Sequence, residues 1–238
     1  STRGDPMKNL INIAKVRRNS SLSHVGSILG LVVLFGSLLL PYYLPGIPSA
    51  VTILLVLVGL ALAMAGVYFA NRWVRKPRPE IELPKAFEKL SDDYVLFSYP
   101  DLPADHILLT PAEVFVLETV NLAGFFTFEK GKWSERMKLG RALRYVVEEH
   151  VNNPSQIAID EAKALADEFG KLEGLTSKIV VKPMVVFIHP SAILEIDQQP
   201  IPILTLAKAI KHVRSKGARM PQEDYGILLG FLKKRVLQ

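Results

Sequence analysis

Between Arg18 and Arg72 the chain carries no Asp, Glu, Lys or Arg. In soluble proteins about one residue in four is charged, so a gap of this length suits hydrocarbon better than a water-facing fold. It divides into two apolar runs, Val25 to Leu44 and Ala50 to Ala70, of 20 and 21 residues. About 20 residues at 1.5 Å rise each cross the core of a bilayer. Pro41, Pro45, Gly46 and Pro48 lie between the runs and predict two helices joined by a turn. Tyr42 and Tyr43 at the break, with Tyr68 and Trp73 near the far end, stand where interfacial aromatics belong. A cleaved signal peptide would have a shorter apolar core and no second span behind it.

Flanking charge predicts the orientation. Residues 1–18 balance to +4, residues 72–79 balance to another +4, and the connecting loop holds no charge. Basic flanks stay inside, so both termini and everything after the hairpin are expected in the cytoplasm of a multi-pass inner (cell) membrane protein. The lipid bilayer is the first expected partner. His24, at the very edge, is the sole ionisable group of the spans, which suits an anchor rather than a transport path. Gly26 and Gly30 form a GxxxG, and Gly59, Ala63, Gly66 and Ala70 line the second span. Such stripes pack helices closely, either the two spans on each other or the hairpin on a partner protein. The expected organisation is a basic segment 1–24, the hairpin 25–71, a basic, Pro-containing linker 72–84 and a soluble domain 85–238.

Residues 80–238 carry a net charge of −2, so the pI of 9.4 belongs to the membrane flanks. Those flanks suit anionic lipid, and the domain lacks the basic stripe of a nucleic-acid binder. The clusters Lys208, Lys211, Arg214, Lys216, Arg219 and Lys233, Lys234, Arg235 read as solvated helix faces. Absence of cysteine excludes thiol nucleophiles, disulfides and Cys zinc sites.

Local pattern predicts a helix over Pro84–Leu90 and a strand over Tyr94–Tyr99. His106–Leu109 and Val114–Asn121 read as strands joined by the turn Thr110–Glu113, and Phe125–Glu129 as a further strand. Trp133, after Gly131, reads as an anchor at the sheet end. Arg136–Val151 reads as helix. Asn153 caps a second helix with Pro154 at its first position. Ile179–His189, Ile193–Ile196 and Pro202–Leu204 read as strands, Leu206–Arg214 and Glu223–Val236 as closing helices. The fold class is mixed α/β (α+β).

If Leu109 faces Val114 across the turn, Asp105 lies opposite Glu118 with Cβ atoms about 5 Å apart. Two carboxylates so placed repel unless a cation lies between them or each is solvated and paired with a nearby lysine.

Asp105-His106-Ile107-Leu108-Leu109, then Val114-Phe115-Val116-Leu117-Glu118-Thr119-Val120-Asn121 and Gly124, resembles the nuclease-related (NERD) domain family. That family shows Asp-His before apolar residues, then an apolar strand ending Glu-x-Lys-Asn. Its helix block Asn-Pro-x-x-Gln is matched to Asn153-Pro154-Ser155-Gln156, and Val185-Val186-Phe187 resembles a later strand. The resemblance covers most of residues 85–215. It implies a fold similar to the PD-(D/E)xK nucleases, in which an Asp and a Glu hold Mg²⁺ and a Lys positions the attacking water. Asp105, Glu118 and Gln156 match that machinery.

Val120 stands where the Lys belongs, and the Gly-Glu pair of the first helix has no Gly in Glu80–Lys89. Lys163, at i+7 from Gln156 on the same helix face, is the candidate substitute. His106 points to the strand face opposite Asp105 and reads as structural. The resemblance therefore implies a degenerate site, no cofactor, and a binding, scaffold or accessory role with a protein partner. The alternative is a tethered Mg²⁺-dependent nuclease acting on nucleic acid.

Overall fold

The computed structural model describes residues 7–129, 132–136, 153–196, 200–214 and 218–237. The chain divides into two units, one formed by Ile13–Lys76 and the other by the residues on both sides of it.

The first unit is a helical hairpin, α1 (Ile13–Tyr43) and α2 (Ser49–Trp73). Their most apolar windows have mean hydropathies of 2.1 and 2.7, and both helices are long enough to cross a bilayer. α1 begins at Ile13 rather than Val25, so Lys15, Arg17 and Arg18 ride on its first turns. It also runs through Pro41, because a proline in the last turn removes one hydrogen bond while keeping a helical φ. The break falls at residues 44–48 alone. The small-residue stripes pack the two helices on each other. A Cβ added at Gly30 would lie 2.4 Å from the Ala63 nitrogen, and one at Gly59 would lie 2.7 Å from the Leu34 nitrogen. Gly66 backs onto Ser27 in the same way, and the Ser23 hydroxyl donates to the Gly66 carbonyl at 3.4 Å. Val25, Ile28, Val32, Phe35, Leu54 and Met64 form an exposed apolar exterior.

The second unit is an α/β domain. In chain order it comprises β1 (Lys8–Ile11), α3 (Pro79–Phe87), β2 (Val95–Ser98), β3 (His106–Leu109), β4 (Val114–Val120), β5 (Gly124–Glu129) and β6 (Lys132–Arg136). There follow α4 (Pro154–Phe169), β7 (Val181–Phe187), β8 (Ala192–Ile196), β9 (Ile203–Thr205), α5 (Leu206–Val213) and α6 (Gln222–Leu237). Six strands form a mixed sheet in the order β1-β2-β3-β4-β7-β9, and β6-β5-β8 form a second, smaller sheet. One face of the large sheet packs Leu96, Leu108, Phe115, Leu117 and Met184 against α3 and α5 through Leu83, Phe87, Ala209 and Val213. The other face packs Val95, Phe97, Ile107, Val114 and Val116 against α4 and α6 through Ala162, Leu165, Phe169, Leu228 and Leu232. Alternation along each strand thus feeds two apolar layers, as in a sheet covered on both faces.

Within the basic segment before the hairpin, Lys8–Ile11 forms a strand that the sequence reading does not predict and pairs in parallel with Val95–Ser98 at the sheet edge. The first domain helix starts at Pro79, not Pro84: Pro79 suits the first turn, and Pro84 is tolerated later in a nine-residue helix. Trp133 sits within β6, a strand missed because Gly131 reads as a stop, and its ring packs on Phe128 and Phe187. The helix expected over Arg136–Val151 lies outside the described residues, apart from Arg136 at the end of β6.

Pro183 sits inside β7 without damage. β9 pairs only with Val185–Phe187, so the side on which Pro183 lacks its N–H faces no strand. The turn between β3 and β4 is held by the Thr110 hydroxyl, which accepts from the Glu113 N–H at 3.0 Å and donates to its carbonyl at 2.8 Å.

Candidate functional site

The turn fixes the register. Leu109 pairs with Val114, Leu108 with Phe115 and Ile107 with Val116. Carried two residues further, that register sets Asp105 against Glu118. β3 itself starts at His106, so Asp105 lies one residue outside the ladder. Both carboxylates are half-buried. By alternation both lie on the sheet face that α4 covers, since Ile107, Val114 and Val116 contact that helix layer. This end of the sheet also receives the C-terminal ends of the parallel strands β4 and β7 and the N-terminus of α4, the place where open α/β sheets bind ligands.

Val120 also follows Glu118 on this face, but its surroundings are apolar. It is 8% exposed and belongs to a cluster with Phe126, Phe128, Ala158 and Phe187. The smaller sheet folds its aromatics onto the position where an ammonium would be required.

α4 is built as the sequence predicts. The Asn153 side chain accepts the Gln156 N–H at 3.2 Å, and Pro154 opens the helix. Gln156, however, is exposed and donates to Asp160 at 2.9 Å. Ser155, Ala158 and Ala162 are the residues that α4 buries against the sheet. Asn153-Pro154-Ser155-Gln156 has one residue between Pro and Gln where the motif has two, and the next position, Ile157, is exposed as well, so both lie on the outer side of the helix. Lys163 shares that outer face and is exposed. Extending the register past its last paired residues would set Asp105 and Glu118 on one face, whereas Gln156 and Lys163 face solvent. Among the described residues no group of three His, Asp or Glu side chains gathers to hold a metal ion. Mg²⁺ keeps several of its waters and is commonly held by one or two carboxylates, so Asp105 and Glu118 are the residues that would hold it.

His106 is 1% exposed on the α3 face, with Nδ1 3.1 Å from the Ser98 hydroxyl and its ring 4.8 Å from that of Tyr99. Tyr99 has φ of +58°, a left-handed conformation rare for a bulky residue and costing on the order of 1–3 kcal/mol. Its N–H donates to the Asp105 carbonyl at 2.6 Å, and its hydroxyl donates to Glu80 at 3.1 Å. Glu80 is 6% exposed, bonded also by Arg78 Nε at 2.6 Å. Sequence reading missed Glu80 as a site residue. The available signal is its place at i−3 and i−7 from Leu83 and Phe87, which makes it a carboxylate on the buried stripe of its helix.

Residues 78–188 match the family model of the nuclease-related domain. The chain thus carries a nuclease-related domain of mixed α/β architecture, preceded by two apolar helices long enough to cross a membrane. Neither a curated protein nor a solved structure matches it.

Proposed function

We propose that this protein is a membrane-anchored, catalytically degenerate nuclease-related domain that serves as a binding or scaffold subunit of a membrane assembly. The observation that carries the reading is Val120, packed among Phe126, Ala158 and Phe187 where the family motif places its Lys. Attack on a phosphodiester needs an oriented water and positive charge beside the developing transition state. Losing one such preorganised group costs on the order of 10²–10³ in rate. The exposed positions of Gln156 and Lys163 support the same conclusion. A fold akin to the PD-(D/E)xK nucleases is part of this reading, supported by the Asp105 and Glu118 strands and the helix across their face.

The topology proposed is multi-pass in the inner membrane, with both termini and the domain cytoplasmic. The +4 flanks support the side, and the strand pairing supports the parity. β1 precedes α1 and β2 follows α2, yet they are hydrogen-bonded neighbours, which supports a topology with both ends of the hairpin on one side.

The alternative, a tethered Mg²⁺-dependent nuclease, draws on the two remaining carboxylates. A cleavage assay separates the readings: the purified full chain, with Mg²⁺ or Mn²⁺, on plasmid and on DNA and RNA oligonucleotides. No cleavage is expected. Robust cleavage that Glu118→Ala abolishes would overturn degeneracy.

A further inference from the structure

The first residues of the domain after the hairpin are bonded to both strand ends that carry the candidate carboxylates. The Pro77 carbonyl accepts from Asn121 Nδ2 at 2.8 Å, and Asn121 lies directly beyond β4, three residues after Glu118. Arg78, the residue after Pro77, fixes Glu80, and Glu80 accepts the Tyr99 hydroxyl at 3.1 Å. Tyr99, held at φ of +58°, donates its N–H to the Asp105 carbonyl at 2.6 Å. Glu80 is nearly fully buried and Tyr99 is 3% exposed, so these bonds are sheltered from competing water.

We propose that Pro77–Glu80 is a positioning clamp. Through Asn121 and through Glu80–Tyr99 it sets the strand ends bearing Glu118 and Asp105, and so transmits the state of the chain leaving α2 to that edge of the domain. The inference rests on the membrane-anchored reading, because only then does the segment report on an embedded hairpin. It does not require catalysis. The left-handed Tyr99 is the element that makes the clamp a device rather than ordinary packing. Unstrained backbone would hold the Asp105 turn without Glu80, whereas this turn relaxes once the hydroxyl is released. Arg78 adds direction, since its guanidinium orients the carboxylate that Tyr99 needs.

The test uses the full chain in nanodiscs, with amide hydrogen exchange read by segment. Tyr99→Phe removes one hydroxyl and keeps the ring against His106. Exchange should accelerate about three- to tenfold, the effect of losing one buried hydrogen bond, in residues 77–88 and in residues 99–107 together. Asn121→Ala acts from the other arm at a half-buried position. It should also accelerate residues 99–107, while the β3–β4 ladder at 108–109 and 114–115 stays protected. The α4 and α6 segments report global unfolding. Acceleration confined to 77–88 in Tyr99→Phe, or to 118–123 in Asn121→Ala, overturns the clamp. If Tyr99→Phe unfolds the domain, Asn121→Ala decides alone. Alkaline carbonate extraction on the same samples tests the membrane anchoring separately, so release from the membrane refutes that reading while the exchange data still judge the clamp.

Discussion

Gly30→Ala should loosen the hairpin, and Gly36→Ala should not. At Gly30 the new Cβ would meet the Ala63 nitrogen at 2.4 Å and its Cα at 2.8 Å. Ordinary contact needs about 3.5 Å, so the helices must part by roughly 1 Å or tilt about that point. Backbone cannot swing aside as the tip of a side chain can. A gap of 0.5–1 Å already forfeits about a quarter to a half of each dispersion contact along the seam. Overpacking of this kind costs about 1–3 kcal/mol. At Gly36 a Cβ meets nothing within 4 Å, and Ala in a helix interior is favoured over Gly by roughly 0.5–1 kcal/mol. The two substitutions therefore differ in sign although both add one methyl group to α1. The chain has no cysteine, so dyes placed through Arg17→Cys and Asn71→Cys report the hairpin without background. Energy transfer between them, followed through SDS titration in mixed micelles, should show an earlier midpoint for Gly30→Ala and an equal or later one for Gly36→Ala. Equal midpoints for both would refute the claim that these glycines hold the two helices together.

Four further outcomes are expected. Val120→Lys should lower the Tm of the domain, because it places an ammonium among Phe126, Ala158 and Phe187; Val120→Met should lower it less. Of single substitutions, Val120→Lys is also the one expected to regain cleavage, whereas Lys163→Ala should leave the cleavage assay unchanged. Asp224 is held below its usual 3.8 by the Ser177 hydroxyl and the Thr176 N–H, so its contribution is present above 3.8 and lost as pH falls through the lower folded value. Acid unfolding should accordingly shift to higher pH in Asp224→Ala, read by circular dichroism. Tyr225 is pushed up to about 12 by burial and by Asp93 and Asp92. The domain should lose stability as pH rises from 10 to 12, because the unfolded chain ionises first, and Tyr225→Phe should reduce that loss, leaving the part due to Tyr94, which burial also pushes up.

How much of this was legible beforehand depends on whether the signal is local. The hairpin, the Leu109–Val114 register and the Asn153–Pro154 helix start are written in short stretches of sequence, and all three are present in the structure. β1 was not legible: four residues before an apolar helix carry no strand signal, and their partner lies beyond two membrane-length helices. The outward direction of Gln156 was not legible, because a motif match does not show which face of a helix meets the sheet, and α4 buries Ser155, Ala158 and Ala162 instead. Glu80 was passed over because a Glu early in a helix normally faces water, and only Tyr99 and Arg78, brought together by the fold, explain its burial. The apolar wall around Val120 comes from β5, β6 and β7, whose convergence no spacing rule reveals.

The pairing of β1 with β2 also places a condition on biogenesis. A ribosome makes Lys8–Ile11 first and Val95–Ser98 only after both apolar helices, a delay of roughly 4–17 s at 5–20 residues per second. During that interval the edge strand has no partner, and if the hairpin is membrane-anchored as proposed, each helix is inserted before the strand can pair. If one helix enters the bilayer and the other fails, the two strands end on opposite sides and the sheet is never completed. On the proposed membrane-anchored reading, completion of the domain's edge would therefore act as a proofreading step on insertion: only chains with both helices handled alike would acquire the finished fold.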